Sequence, residues 1–247
     1  MRPVNKLAPG CYAATDGSVI DIVASYADYS NAKPALIYNL GKFCSYCEDA
    51  YHQDRDLHVE HVQPKNFTDE NDEKIYAHLE TEWSNFLLSC ATCNGTDNKG
   101  AKDVVLDEIH LPHLNNTFKS FVYNAGGVVE VNPTLNSLAK KHAENLWLLI
   151  GLNKSAATSS KGDKRWQKRK NDWDLAVRHR IKGSDVETIV DLVQARGGWS
   201  IWFTVFKGHD EVRKALIEKF PGTAAQCFDP NNHYEPIDRN PGAADPT

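Results

Sequence analysis

The chain has 247 residues, 41% of them hydrophobic and six of them tryptophan, which supports a real core and excludes wholesale disorder. Lys and Arg total 28 against 33 Asp and Glu, a formal net charge of −5, which argues against indiscriminate nucleic-acid binding through a uniformly basic surface. No apolar run approaches the ~18–20 residues of a membrane span, and no apolar stretch follows Met1–Lys6, so no signal peptide is read and a cytoplasmic protein without membrane association is expected.

Residues 1–35 are weakly patterned, and Asp21–Tyr29 suggests a short helix. Pro34–Leu40 is apolar and leads into Gly41, whose conformational freedom suits the turn before Cys44-Ser-Tyr-Cys47. Leu57–Glu60 alternates and is β-branched at Val59, predicting a short strand that ends at His61; Pro64 stops regular pairing there. Residues 66–82 are highly charged around Asp69–Glu73, a solvated loop with a short helix about Lys74–Glu80. Phe86–Leu88 is a second apolar run, followed by Cys90-Ala-Thr-Cys93-Asn94 and the turn signal Asn94-Gly95.

Phe121–Val131 reads as a hairpin around Asn124-Ala-Gly-Gly127. Apolar spacing near 3.6 from Leu135 to Ile150 predicts a helix ending at Gly151. Lys161–Lys182 holds nine Lys/Arg against three Asp and reads as one basic helix with Trp166 and Trp173 on its apolar side. Its uses are a nucleic-acid face, an acidic-partner contact or a plain solvated face. Ser184-Asp-Val-Glu187 has the form of a capping box opening a helix with Val186, Ile189, Val190 and Val193 inward, which stops before Gly197-Gly198. Val212–Phe220 gives a last helix, and the tail from Asn231 is expected to be loose. Trp199 and Trp202 are expected in the core or at a partner interface, and His110, His113 and His142 in structural roles.

Six cysteines stand at 11, 44, 47, 90, 93 and 227. In a reducing compartment, two Cys-x-x-Cys pairs read as one tetrahedral zinc site rather than as disulfides. Four thiolates leave no open position for water, so the expected role of Cys44, Cys47, Cys90 and Cys93 is structural. Cys11 and Cys227 lack partner spacing and are expected to be buried. The 42 residues between the pairs are long for a minimal zinc ribbon, so they can house a second function.

That stretch contains Glu60-His61-Val-Gln-Pro64-Lys65. Adjacent residues at a strand end point in different directions, which suits a division of labour: Glu60 binds a metal ion and His61, near its unperturbed pKa of about 6.5, deprotonates water. Asn94 supplies a second, neutral oxygen ligand, a donor set suited to Mg²⁺ or Mn²⁺ better than zinc. His58 is an auxiliary ligand candidate, and Lys65 and Lys99 are candidate phosphate contacts. An acid–His pair alone is more often a surface hydrogen bond; the flanking Cys pairs, Pro64 and Asn85 favour the functional reading.

These residues resemble the HNH endonuclease family, the ββα-metal nucleases: Cys44/Cys47, then Glu60-His61-Val62-Gln63-Pro64, then Asn85, then Cys90/Cys93/Asn94 and Lys99. The resemblance implies His61 as general base, Glu60 and Asn94 as ligands of the catalytic divalent ion, and Asn85 bonding the connecting loop to orient His61. The gap between His61 and Asn85 is longer than in compact members and strongly acidic. A narrower resemblance, to the HNH nucleases of Septu-type and retron-associated anti-phage systems, rests on Cys44-Ser-Tyr-Cys47-Glu48, Glu60-His61-x-x-Pro64-Lys65, Trp83-x-Asn85, Phe121-Val-Tyr, Leu152-Asn153, Trp199-Ser200 and Cys227-Phe-Asp229. It implies an ATPase partner that controls cleavage of nucleic acid, with DNA favoured over RNA. The expected fold is α+β, mainly helical. Its parts are an N-terminal segment (1–35), a zinc-bound ββα core (36–105), a β-hairpin plus helical region (106–230) and a polar tail (231–247). The alternative is a non-catalytic zinc-dependent module that binds nucleic acid or a partner, which has no need of Glu60, His61 and Asn94 together. A sequence-specific restriction enzyme is a third reading, for which no target-recognition domain is seen.

Overall fold

The computed structural model describes residues 1–158 and 162–247; Lys161, the expected start of the basic helix, lies outside them. Strands β1 (Gly10–Ala13) and β2 (Val19–Ile22) form a hairpin. This replaces the helix suggested over Asp21–Tyr29: Val19-Ile-Asp-Ile22 alternates with period two, and helical backbone begins only at a 3-10 turn, Tyr29–Ala32, capped by Asp28. Helix α1 (Lys33–Leu40) follows, with Pro34 in its first turn and Gly41 ending it at φ +76°.

The centre of the chain is β3 (Leu57–His61), β4 (Phe86–Cys90) and the short helix α2 (Ala91–Asn94). The two strands are antiparallel, with His61 opposite Phe86 and Leu57 opposite Cys90. Every residue of β4 is buried, with α1 packed against it. Between them, the charged loop forms only a 3-10 turn at Ala77–Leu79 where a short helix about Lys74–Glu80 is expected. Next come α3 (Thr117–Ser120) and the expected hairpin of β5 (Phe121–Tyr123) and β6 (Val129–Val131). Helices α4 (Ser137–Leu149), α5 (Arg165–Lys182), α6 (Val186–Arg196), α7 (Trp199–Val205) and α8 (Asp210–Glu218) follow, and a last pair, β7 (Phe228–Asp229) and β8 (Glu235–Pro236), closes the described elements. The architecture is mixed α and β: helical residues of both kinds make up 39% of the chain, so "mainly helical" fits only in part. Among the described residues no helix is long and apolar enough to cross a membrane.

Buried apolar side chains from Met1 to Phe228 form one cluster. Trp199 and Trp202 belong to it and are core residues; Trp199 stacks on Phe203 at 4.5 Å and donates Nε1 to the Leu216 carbonyl. Asp185, not Ser184, caps α6, accepting from Thr188 N at 2.8 Å. The inward side of α5 differs from the sequence reading. It carries Arg165, Arg169, Asp172 and Ala176, while Trp166 and Trp173 are only half-buried. Asp172 takes two hydrogen bonds from Arg196 and a third from Lys168, so much of the helix's charge is spent inside the fold.

The tail is docked, contrary to the expectation of a loose end. Arg239 donates to the carbonyls of Val4 and Pro112, Asn240 bonds Pro246 and Thr247, and Thr247 is buried. His110 and His142 both reach Asp245 of this tail. Cys227 is buried as expected, but Cys11 is exposed because it lies on the outer side of the β1–β2 hairpin.

Candidate functional site

The first Cys pair sits on a tight turn in which Glu48 N bonds Cys44 O and Cys44 N bonds Asp49 O. Glu48 takes φ +65°, an uncommon conformation for a non-glycine residue. Its buried carboxylate accepts from Arg2 N, Ser200 N and Ser200 Oγ, and its carbonyl accepts from Gly198 N. Gly197 is needed at this crossing: a Cβ there would lie 2.0 Å from Glu48 O. The second pair opens α2, where Cys90 Sγ accepts from Cys93 N.

All four sulfurs lie within 4.8 Å of one another, and Cys47 and Cys90 are 3.8 Å apart. A tetrahedron with Zn–S bonds of ~2.3 Å places its sulfurs about 3.8 Å apart, so the cluster fits one zinc ion. Arg165 Nη1 lies 3.2 Å from Cys93 Sγ, and the same guanidinium is held by Asp163. Burial acts to lower the Arg165 pKa, but Asp163 and the Cys93 and Cys47 sulfurs outweigh it and the guanidinium is held charged. Four thiolates outweigh one dication, and Arg165 is the buried counter-charge, a partner in the outer shell of the site. Nothing in the sequence marks this contact, since 72 positions separate the two residues.

Beside the cluster lies a cleft of about 460 Å³ whose lining includes His58, Glu60, His61, Lys65, Asn94 and Lys99. Tyr29, Ser30 and Lys33 close its other side; these three are missed by the sequence reading, because only the fold brings the 3-10 turn and α1 against β3. His61 ends β3 with its ring edge-on to Phe86 and Tyr29, at centroid distances of 5.2 and 5.0 Å. Its Nε2 is 2.8 Å from the Glu80 carbonyl. A carbonyl only accepts, so Nε2 carries the proton and Nδ1 keeps a lone pair. Burial pushes the His61 pKa below its usual value, against a smaller opposing pull from the Glu80 carbonyl.

Asn85 Oδ1 accepts from Gln63 N at 2.8 Å, and its Nδ2 donates to Gln63 O and Leu79 O. Its backbone carbonyl accepts from Val62 N. The loop leaving His61 is thus bonded to one side chain. Glu60 is 1% exposed, and its Oε1 meets Lys99 Nζ at 2.7 Å and Tyr46 Oη at 3.4 Å. Burial raises the Glu60 pKa, and Lys99 works against that rise. Asn94, at the end of α2, is half-buried on the cleft wall.

The structure places the two lysines differently. Lys65 stands at the cleft mouth, paired with Glu80 and 4.0 Å above the Tyr29 ring. Lys99 is 1% exposed, and its Nζ is shared between Glu60 and the His61 carbonyl. It is an internal cation rather than the solvent-facing group that a phosphate contact requires. His58 is exposed and, by the strand's period of two, shares a face with Glu60 and not with His61.

In comparison with known families, residues 44–100 match the family model described as HNH endonuclease. No curated protein matches the chain.

Proposed function

We propose that this chain is a metal-dependent HNH endonuclease that hydrolyses nucleic-acid phosphodiester bonds. The observation that carries the reading is the convergence of His61, Glu60 and Asn94 on one cleft beside the four-cysteine cluster. In this reading His61 Nδ1 takes the proton from the attacking water while Nε2 stays bonded to Glu80 O. Asn85 fixes the loop that orients the ring. Glu60 and Asn94 are the residues that would hold a divalent ion, Glu60 through the oxygen that Lys99 does not engage; one carboxylate and one amide leave room for the waters and phosphate oxygens that Mg²⁺ keeps. Bound there, Mg²⁺ or Mn²⁺ supplies charge stabilisation on the phosphate and the leaving 3′ oxygen. Lys99 offsets part of the burial that disfavours the ionised Glu60, and Lys65 meets the incoming phosphate once it leaves Glu80.

A role as effector of an anti-phage system under an ATPase partner extends this reading. Its support is the sequence resemblance together with charge. The net charge is −5, and Arg165, Lys168 and Arg169 of the basic helix are bonded inside the fold. Such a nuclease has little intrinsic attraction for a phosphate backbone and gains from a partner that holds the substrate, DNA before RNA. The competing reading, a zinc-dependent binding module, is favoured by one observation: Glu60 already has a cation in Lys99.

The test is incubation of the protein with plasmid and with RNA in Mg²⁺ or Mn²⁺, alone and with any ATPase partner that co-purifies with it, against His61→Ala. Cleavage that falls by ~10²-fold or more in the variant is the expected result. Undiminished cleavage by His61→Ala removes the general-base assignment, and an inert wild type under every metal and partner condition leaves the binding module.

A further inference from the structure

One cluster of metal-ligating side chains lies outside the cleft and takes no part in the nuclease reading. His110 stands in the segment before α3, His142 on α4 and Asp245 in the tail. Asp245 Oδ2 lies 2.8 Å from His110 Nε2 and 2.6 Å from His142 Nδ1, and the three donor atoms fall within 4.8 Å of one another. The two imidazoles meet edge to face at 5.9 Å, and His110 is fully buried. From bonds of ~2.0–2.1 Å, a tetrahedral zinc ion spaces nitrogen and oxygen ligands roughly 3.3 Å apart. The contacts of 2.8 and 2.6 Å therefore need to open by roughly 0.5 and 0.7 Å to admit one.

The surroundings are those of a held site. His110 Nδ1 lies 2.7 Å from Ser120 Oγ, the kind of second partner that fixes the ring of a ligating histidine. His110 N bonds the His142 carbonyl, which ties the two ligating segments together. Asp245 Oδ1 accepts from Thr247 N, and Asn136 Nδ2 holds the Ala244 carbonyl, so the tail arrives with its carboxylate already aimed. The Asp245 side chain is 12% exposed, so one edge is open to a water as fourth ligand.

We infer that His110, His142 and Asp245 form a second transition-metal site of the zinc type, separate from the four-cysteine cluster, which fastens the C-terminal tail to α4. Two imidazoles with one carboxylate suit Zn²⁺ and not Mg²⁺ or Ca²⁺. The inference stands apart from the nuclease reading and survives its failure.

The test uses the full chain without a histidine tag, equilibrated with zinc sulfate, desalted and analysed for metal. About two equivalents are expected in the wild type and about one in both His142→Gln and Asp245→Asn. Cobalt substitution provides the second readout. The wild type should show, beside the thiolate-to-cobalt charge-transfer bands of the four-cysteine site, additional visible bands without a charge-transfer counterpart, and His142→Gln should lose these additional bands while keeping the thiolate bands. One equivalent in the wild type, or two in both variants, overturns the inference. Should a variant lose all metal through misfolding, the wild-type stoichiometry and cobalt spectrum decide alone.

Discussion

The Glu80 carbonyl decides which nitrogen of His61 is free, and burial decides at what pH it is free. If the neutral ring is the base, as proposed, the rate rises with pH through the His61 pKa and levels above it. Because burial lowers that pKa, the acid limb of single-turnover cleavage should have its midpoint below the ordinary ~6.5; a midpoint above that value contradicts the assignment. Lys99 offers a second residue-scale prediction. Lys99→Met leaves the Glu60 carboxylate buried without its cation and should cost about 3–5 kcal/mol in urea denaturation. The double variant Lys99→Met/Glu60→Gln should recover most of that loss, because the charge that needed a partner is gone. The places of Glu60, His61 and Asn94 on one cleft follow from a strand end and a knuckle that the sequence marks, whereas only the family resemblance singles out Asn85. Lys99 was legible as a position but not as a role, because spacing carries no information about burial.

At the scale of elements, α5 supports the metal centre through Arg165. Arg165→Met should weaken zinc binding by ~10–100-fold in competition with a chromophoric chelator, whereas removing the charge of Arg178, an exposed residue of the same helix, should leave zinc affinity unchanged. Strand β3, the β5–β6 hairpin and α4 could be read from period and turn residues, whereas the pairing of β3 with β4 could not, because β4 is buried at every position and 24 residues separate the two. The inward face of α5 could not. Composition marks it as basic, but only the fold shows Asp163, Asp172 and the thiolate cluster waiting for those cations. Helix α7 escaped for a related reason: Trp199–Val205 is buried almost all round and so has no polar face to give it a period.

For the whole molecule, burial sets an acid limit on stability. His113 is half-buried with its Nδ1 enclosed, and desolvation first, then the nearby Lys6 and Arg239, lower its pKa to about 3. The unfolded chain takes up its proton near the ordinary ~6.5, so the stability due to the neutral ring is intact above that pH and is lost as pH falls toward about 3. Melting temperature should therefore drop across this window, and less steeply in His113→Gln. Stability that stays level between pH ~6 and ~4 contradicts the burial of a neutral ring. The Glu48 crossing has a consequence for protein synthesis. All four zinc-site cysteines and the Glu60-His61 pair leave the ribosome well before Ser200, yet Ser200 and Gly198 hold the carboxylate and carbonyl of the residue that follows Cys47. A chain that ends before Ser200 therefore carries Cys44 and Cys47 on an unbraced turn, and a fragment released after residue 190 should bind less zinc than the full chain. On the proposed nuclease reading, cutting would then begin only once translation has passed the point where an incomplete product could damage its host.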